Sequence, residues 1–200
     1  MKKTLLILPC NKGAKEGNYF TQLLWKKIDS VLKNNNLRTM VDLCAIDCII
    51  TFKKQDKKGA LVGEWEMDRV KGYDIHPHNM FNKKDSKIKL KQLINDVVIG
   101  LKRMEKKYKN IIIFVNVAPY RVALKNAVKL LKFEKRVTFI EWVVCGFGIS
   151  GKLIKYLLKY IIMEPKGFVK INDRQIYNWK DERRRQRGIN IYKKSMEAFK

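Results

Sequence analysis

Negative charge is scarce in this 200-residue sequence: 19 Asp and Glu stand against 44 Lys and Arg, a formal net charge of +25. A surplus of that size repels itself, so it is best explained by a polyanionic partner, nucleic acid first and an anionic membrane surface second. A Lys-rich proteome would add lysines without a partner, but it would not remove the acids. Long apolar runs are missing too. None approaches the ~20 residues that cross a bilayer, so no membrane span is expected. The apolar run at residues 4–8 is too short for the core of a secretory signal. Cysteine is limited to Cys10, Cys44, Cys48 and Cys145, without zinc-ribbon spacing. Three of them sit in apolar runs, where a free thiol behaves as a small core residue. A reduced, cytoplasmic setting follows as the expectation. Internal repeats and low-complexity segments are also lacking, and a hydrophobic fraction of 46% is that of an ordinary globular chain.

What is present is a set of short, β-branched, apolar segments. Residues 111–117 (three Ile, then Phe114, Val115, Asn116 and Val117) are apolar on both alternating faces, with Pro119 just beyond. A strand covered on both sides reads this way, because a half-exposed strand alternates apolar with polar residues. Residues 4–8, ending at Pro9-Cys10, and 137–145, ending at Gly146, have the same character. Helical patterns separate them. An inward stripe of Phe20, Leu23, Leu24, Ile28, Val31 and Leu32 follows a possible Asn18 cap, and 86–108, 122–131 and 153–163 also carry apolar stripes. Residues 39–43 and 48–52 read as further strand, interrupted at Asp47, and 168–171 as a last short one. Alternating strands and helices predict an α/β three-layer sandwich with a mostly parallel central sheet. The expected domain is 1–171, and 172–200 form a basic extension in which arginines alternate with Tyr177, Trp179 and Tyr192. Residues 53–82 are expected to be irregular. A loop that long is usually functional.

In an open parallel sheet, ligands sit outside the carboxyl ends of the strands. That directs attention to residues 10–15, 116–121 and 145–152. Gly146, Gly148 and Gly151 form a G-x-G-x-x-G set between strand and helix, where close backbone approach and a helix N-terminus suit phosphate. Too little chain follows for a full dinucleotide domain, so no cofactor is expected. A nucleotide-binding enzyme using this turn is the third functional reading. Lys12, Lys15, Arg121 and Lys152 are the expected phosphate contacts at the rim, and Arg183, Arg184, Arg185 and Arg187 those of the tail. Cys10, flanked by the two lysines, is the thiol best placed for chemistry. His76 and His78 with Asp74 and Asp68 make a weak metal set, because Pro77 breaks regular presentation and no third well-spaced ligand exists. No metal is expected.

The order strand–Pro9-Cys10–Lys12, then Gly63-Glu64-Trp65 and Tyr73-Asp74-Ile75-His76-Pro77, then an apolar strand into Tyr120-Arg121, resembles the central domain of archaeosine synthase. The resemblance spans residues 4–163. It implies a uracil-DNA-glycosylase-like α/β fold and action on a deazaguanine base in tRNA, with Cys10 and the lysines after it in the family's Pro-Cys motif. If the protein is an enzyme, Cys10 and Asp74 are expected nearest the chemistry. After Cys10 the family carries Lys-Pro-Tyr and, further on, a Ser and a His. Here residues 11–19 lack that His. The fold and the nucleic-acid surface are therefore implied more directly than the catalysis. The leading expectation is a nucleic-acid-binding protein, RNA ahead of DNA, either a base-modifying enzyme or its degenerate relative. The alternative is a non-catalytic nucleoprotein component of a ribosomal or viral particle.

Overall fold

The computed structural model describes residues 4–9, 23–46, 54–55, 61–62, 86–115, 118–141, 151–171, 186 and 190. The strands are β1 (Thr4–Pro9), β2 (Val41–Ile46), β3 (Lys54–Gln55), β4 (Leu61–Val62), β5 (Asn110–Ile113), β6 (Val137–Glu141) and β7 (Gly167–Lys170). The helices are α1 (Leu23–Asn34), α2 (Ser86–Glu105), α3 (Ala118–Leu130) and α4 (Gly151–Ile161). Within β1, Leu5, Leu6, Ile7 and Leu8 are all fully buried, so this strand must be covered on both faces. Each such side chain contributes roughly 1.5–3 kcal/mol relative to exposure. Both edges of β1 are bonded as well, to β2 on one side and β5 on the other, in parallel.

The full strand order is β3-β4-β2-β1-β5-β6-β7, and every pair is parallel except the short β3–β4 pair at the edge. Side chains alternate between two cores. Leu5, Ile7, Ile111, Ile113 and Phe139 pack with α2 and α3, while Leu6, Leu8, Ile112, Phe114 and Ile140 pack with α1 and α4. The chain is thus a three-layer α/β sandwich. Winding reverses at β1: the β1–α1–β2 unit builds toward one edge of the sheet and β5–α3–β6 toward the other.

Helix ends follow standard chemistry. In α1 and α3 the last turn closes by two crossed backbone bonds: Leu37 N to Leu32 O and Asn36 N to Lys33 O, then Phe133 N to Val128 O and Lys132 N to Lys129 O. This closure places one residue in the left-handed region, Asn36 at φ 56° and Lys132 at φ 54°. The carbonyls ending α4 are met by the sheet itself. Thr4 Oγ1 donates to Ile161 O (3.2 Å), and Asn110 Nδ2 donates to Tyr160 O (3.0 Å) and Met163 O (3.3 Å). Asn110 is 4% exposed, a polar residue tolerated in a buried strand because its amide supplies bonds that the helix end lacks. Nearby, Tyr108 donates its hydroxyl to Asp42 (3.0 Å), and burial together with the Asp42 carboxylate pushes that hydroxyl above its ordinary value. Burial alone raises the Cys44 thiol well above its usual value, in keeping with a small core residue.

Several expected boundaries shift. The central strand begins at Asn110 and its ladder ends at Ile113, although Phe114 N still donates to Ile7 O (2.9 Å) and Phe114 and Val115 stay buried. The strand expected at 39–43 begins at Val41 and runs to Ile46, because 38–40 form a 3₁₀ turn held by Arg38 on Asp29 and on Val41 O. The region expected to be irregular contributes β3 and β4, whose two residues each are too few to show alternation. Asn18, Asp47 and residues 48–52 lie outside the described residues.

Replacing Asn110 by Ala should leave the carbonyls of Tyr160 and Met163 without that donor and cost about 1–3 kcal/mol. Urea unfolding would show a lower midpoint with an unchanged slope. An unchanged midpoint would mean that water satisfies those carbonyls equally well.

Candidate functional site

Apart from the short β3, which runs the other way, the parallel strands place their carboxyl ends, and the N-termini of α1, α3 and α4, on one rim. Helix N-termini carry unsatisfied N–H groups and partial positive charge, so this rim favours anions. The ladders open a gap there. β1 stays paired with β2 through Pro9↔Ile46, but its register with β5 ends at Ile7↔Ile113. Beyond that point Leu8 and Pro9 follow one half of the sheet, while Phe114 and Val115 lead into α3 in the other. The reversal of winding coincides with this gap, as at ligand crevices of doubly wound sheets. Under it, Trp25 of α1, fully buried, donates its indole N–H to Pro9 O (3.3 Å) and fixes where β1 ends.

Among the described residues the rim's charged cluster joins α3 to β6. Arg121, 6% exposed, lies in the first turn of α3, and its guanidinium is 3.5 Å from Glu141 Oε1 at the end of β6. Lys125, one helical turn on, donates to the same oxygen (2.5 Å). Burial would raise the Glu141 carboxyl, but the Lys125 hydrogen bond and the Arg121 and Lys125 charges outweigh it and hold the carboxyl below its ordinary value. Two cations thus share one carboxylate. On the adjacent edge strand Phe168 packs against Phe139, and the Lys125 ammonium lies over the Phe168 ring.

The expected site residues divide accordingly. Arg121 is at the rim, but buried against Glu141 rather than projecting outward. Gly151 opens α4 and Lys152 follows it on the same rim, so the end of the glycine motif does sit at a helix start after a strand. Gly146, Gly148, Cys10, Lys12, Lys15, Asp74, His76, His78, Arg183, Arg184, Arg185 and Arg187 lie outside the described residues. Cys10 directly follows Pro9, the last residue of β1. Among the described residues no group of His, Cys, Asp and Glu could hold a metal ion, and no helix is long and apolar enough to cross a membrane. Sequence reasoning missed Glu141 and Lys125. The signal existed: a lone acid interrupts an apolar strand pattern, and Arg and Lys stand four residues apart on the helix before it.

Comparison adds no relative: no protein-family model matches this chain, and no curated protein matches it significantly. The fold itself defines the class, a doubly wound α/β protein whose winding reverses at β1.

Because its folded value is lowered, Glu141 contributes stability that is full above its ordinary value of 4.5 and is lost as pH falls through the lower folded value. Glu141→Gln should therefore destabilise the protein by about 1–3 kcal/mol at pH 7. The gap between variant and parent should close in strong acid. Unfolding midpoints across a pH series check this, and a gap that widens with acid would contradict it.

Proposed function

We propose that the protein binds nucleic acid, RNA ahead of DNA, through phosphate contacts along the carboxyl-end rim and the Arg-rich tail. The observation that carries this reading is charge without internal compensation. The formal +25 is what remains after all 19 acids are set against the 44 Lys and Arg, and cations are exposed on all four helices, among them Lys26, Lys91, Lys129 and Lys155. A protein pays for such self-repulsion unless a polyanion relieves it. Helix N-termini gathered at the rim favour anions there. In this reading Lys12, Lys15 and Lys152 contact phosphates there, and Arg121 adds its field from within. Arg183, Arg184, Arg185 and Arg187 grip the backbone, while Tyr177, Trp179 and Tyr192 stack on unpaired bases.

The finer assignment is a base-modifying role of the archaeosine synthase kind, with Cys10 and Asp74 nearest the chemistry. It is supported by the Pro9-Cys10 resemblance and by the position of Pro9 beside the gap between β1 and β5. A non-catalytic nucleoprotein component would use the same surface, and the engagement of Arg121 by Glu141 favours that second reading. The two part on Cys10→Ser. An enzyme loses turnover with RNA affinity retained, whereas a packing protein loses nothing.

Binding of a folded tRNA transcript should be steeply salt-dependent, since six to ten phosphate contacts would lose about 10³–10⁵ in affinity between 50 and 200 mM salt. Neutralising Arg183, Arg184, Arg185 and Arg187 to Gln should make the slope shallower by about 3. Affinity indifferent to salt would remove the electrostatic basis of the reading.

A further inference from the structure

At the opposite end of the sheet, α2 ends beside the turn that leads from α3 into β6. Arg136 joins them: its guanidinium bonds the Glu105 carboxylate (2.5 Å) and the Glu105 backbone carbonyl (3.3 Å). Around that junction residues 102–109 and 129–136 hold nine Lys and Arg against two acids, Glu105 and Glu134. One of those acids is already taken by Arg136, and Lys109 turns away to Glu164 (2.8 Å). Lys102, Arg103, Lys106, Lys107, Lys132 and Lys135 are all exposed. Lys102 and Lys106, and Arg103 and Lys107, stand four residues apart, a spacing at which like charges repel.

Helix electrostatics explains only part of this. Cations in the last turn favour a helix C-terminus, which accounts for Lys102, Arg103 and Lys129, but the benefit fades beyond that turn. Lys132 is the clearest exception. It occupies the left-handed position closing α3 at φ 54°, where glycine is the unstrained choice and asparagine, as at Asn36 of α1, the usual substitute. A lysine there is held at a cost to the fold, and strain of this kind points to a role for the side chain.

We infer that this edge is a second phosphate-backbone surface for the same RNA. The inference rests on the RNA-binding reading above and extends it. The length of α2, 20 residues or roughly 30 Å, separates the edge from the carboxyl-end rim. A ligand that engages both is therefore a folded RNA of tRNA size, not a nucleotide. Adsorption to an anionic membrane fits less well, because Leu130 is the exposed large apolar side chain within residues 102–109 and 129–136, and the other two at this end, Ile162 and Met163, follow α4 on the opposite face of the sheet.

The test uses the full chain carrying Lys106→Gln, Lys107→Gln, Lys132→Gly and Lys135→Gln, with a tRNA transcript titrated across a salt series. The expected result is affinity weakened about tenfold or more and a salt slope shallower by about 3. Lys132→Gly alone should weaken binding while raising Tm by roughly 2–4 °C, an outcome that a merely structural lysine would not produce. Unmodified protein that binds tRNA, with the fourfold variant binding equally well, overturns the inference and leaves the RNA reading standing. Unmodified protein that does not bind tRNA overturns both. Unchanged tRNA affinity with lost adsorption to phosphatidylserine vesicles reassigns the edge to a membrane and also overturns it. Should the variant fail to fold, acetylation footprinting of the unmodified protein decides: Lys106, Lys132 and Lys135 shielded by tRNA support the inference, and equal labelling with and without tRNA sinks it.

Discussion

The structure depends on the double enclosure of β1. Its backbone is bonded to β2 and β5, and its side chains are sealed by α1 and α4 on one face and by α2 and α3 on the other. Parallel strands require crossover connections, and helices that cover both faces are how such a sheet removes its apolar surface from water. Polarity follows from that constraint. Strands that run one way force their helices to run back, so helix starts gather at one end of the sheet and helix ends at the other. Everything electrostatic about the molecule is laid over this arrangement.

The two ends accordingly differ in kind. At the carboxyl end, the helix N-termini of α1, α3 and α4 and the Arg121–Lys125–Glu141 cluster lie beside the point where the β1–β5 ladder ends. At the amino end, the carbonyls that finish α4 are consumed internally by Thr4 and Asn110, and Arg136 does the same for α2 through Glu105 O. Cations gather there partly because a helix end welcomes them. They extend past the last helical turns into positions, such as Lys132, where the backbone would be better served by another residue. A chain with 19 acids against 44 basic residues cannot neutralise both ends itself, and the proposed polyanion would do so.

Much of the fold was legible from pattern. The apolar, β-branched segments near Thr4, Ile111 and Val137 are strands, and the stripes on α1, α2, α3 and α4 face the cores as their spacing requires, because a strand buried on both faces leaves a local signature. The short pair β3 and β4 was not legible, since two residues carry no period. Asn110 was read as the residue before a strand rather than its first member, because what admits it is a hydrogen bond to a helix about 50 residues away in the chain. Arg121 illustrates the limit at the site. Its type and its place after a buried strand suggested a phosphate contact, yet its side chain is turned inward by Glu141, 20 residues further along the chain.

The layer architecture, the mostly parallel sheet and the excess of positive charge can be read from the residues alone, because burial period and composition are properties of single segments and of the whole chain. Only the tertiary structure decided the strand order, the gap between β1 and β5, the pairing of Arg121 with Glu141 and the meeting of α2 with the α3–β6 turn. Those depend on which segments become neighbours in space. A hydrogen bond or an ion pair between residues far apart in the chain leaves no periodic mark on either of them.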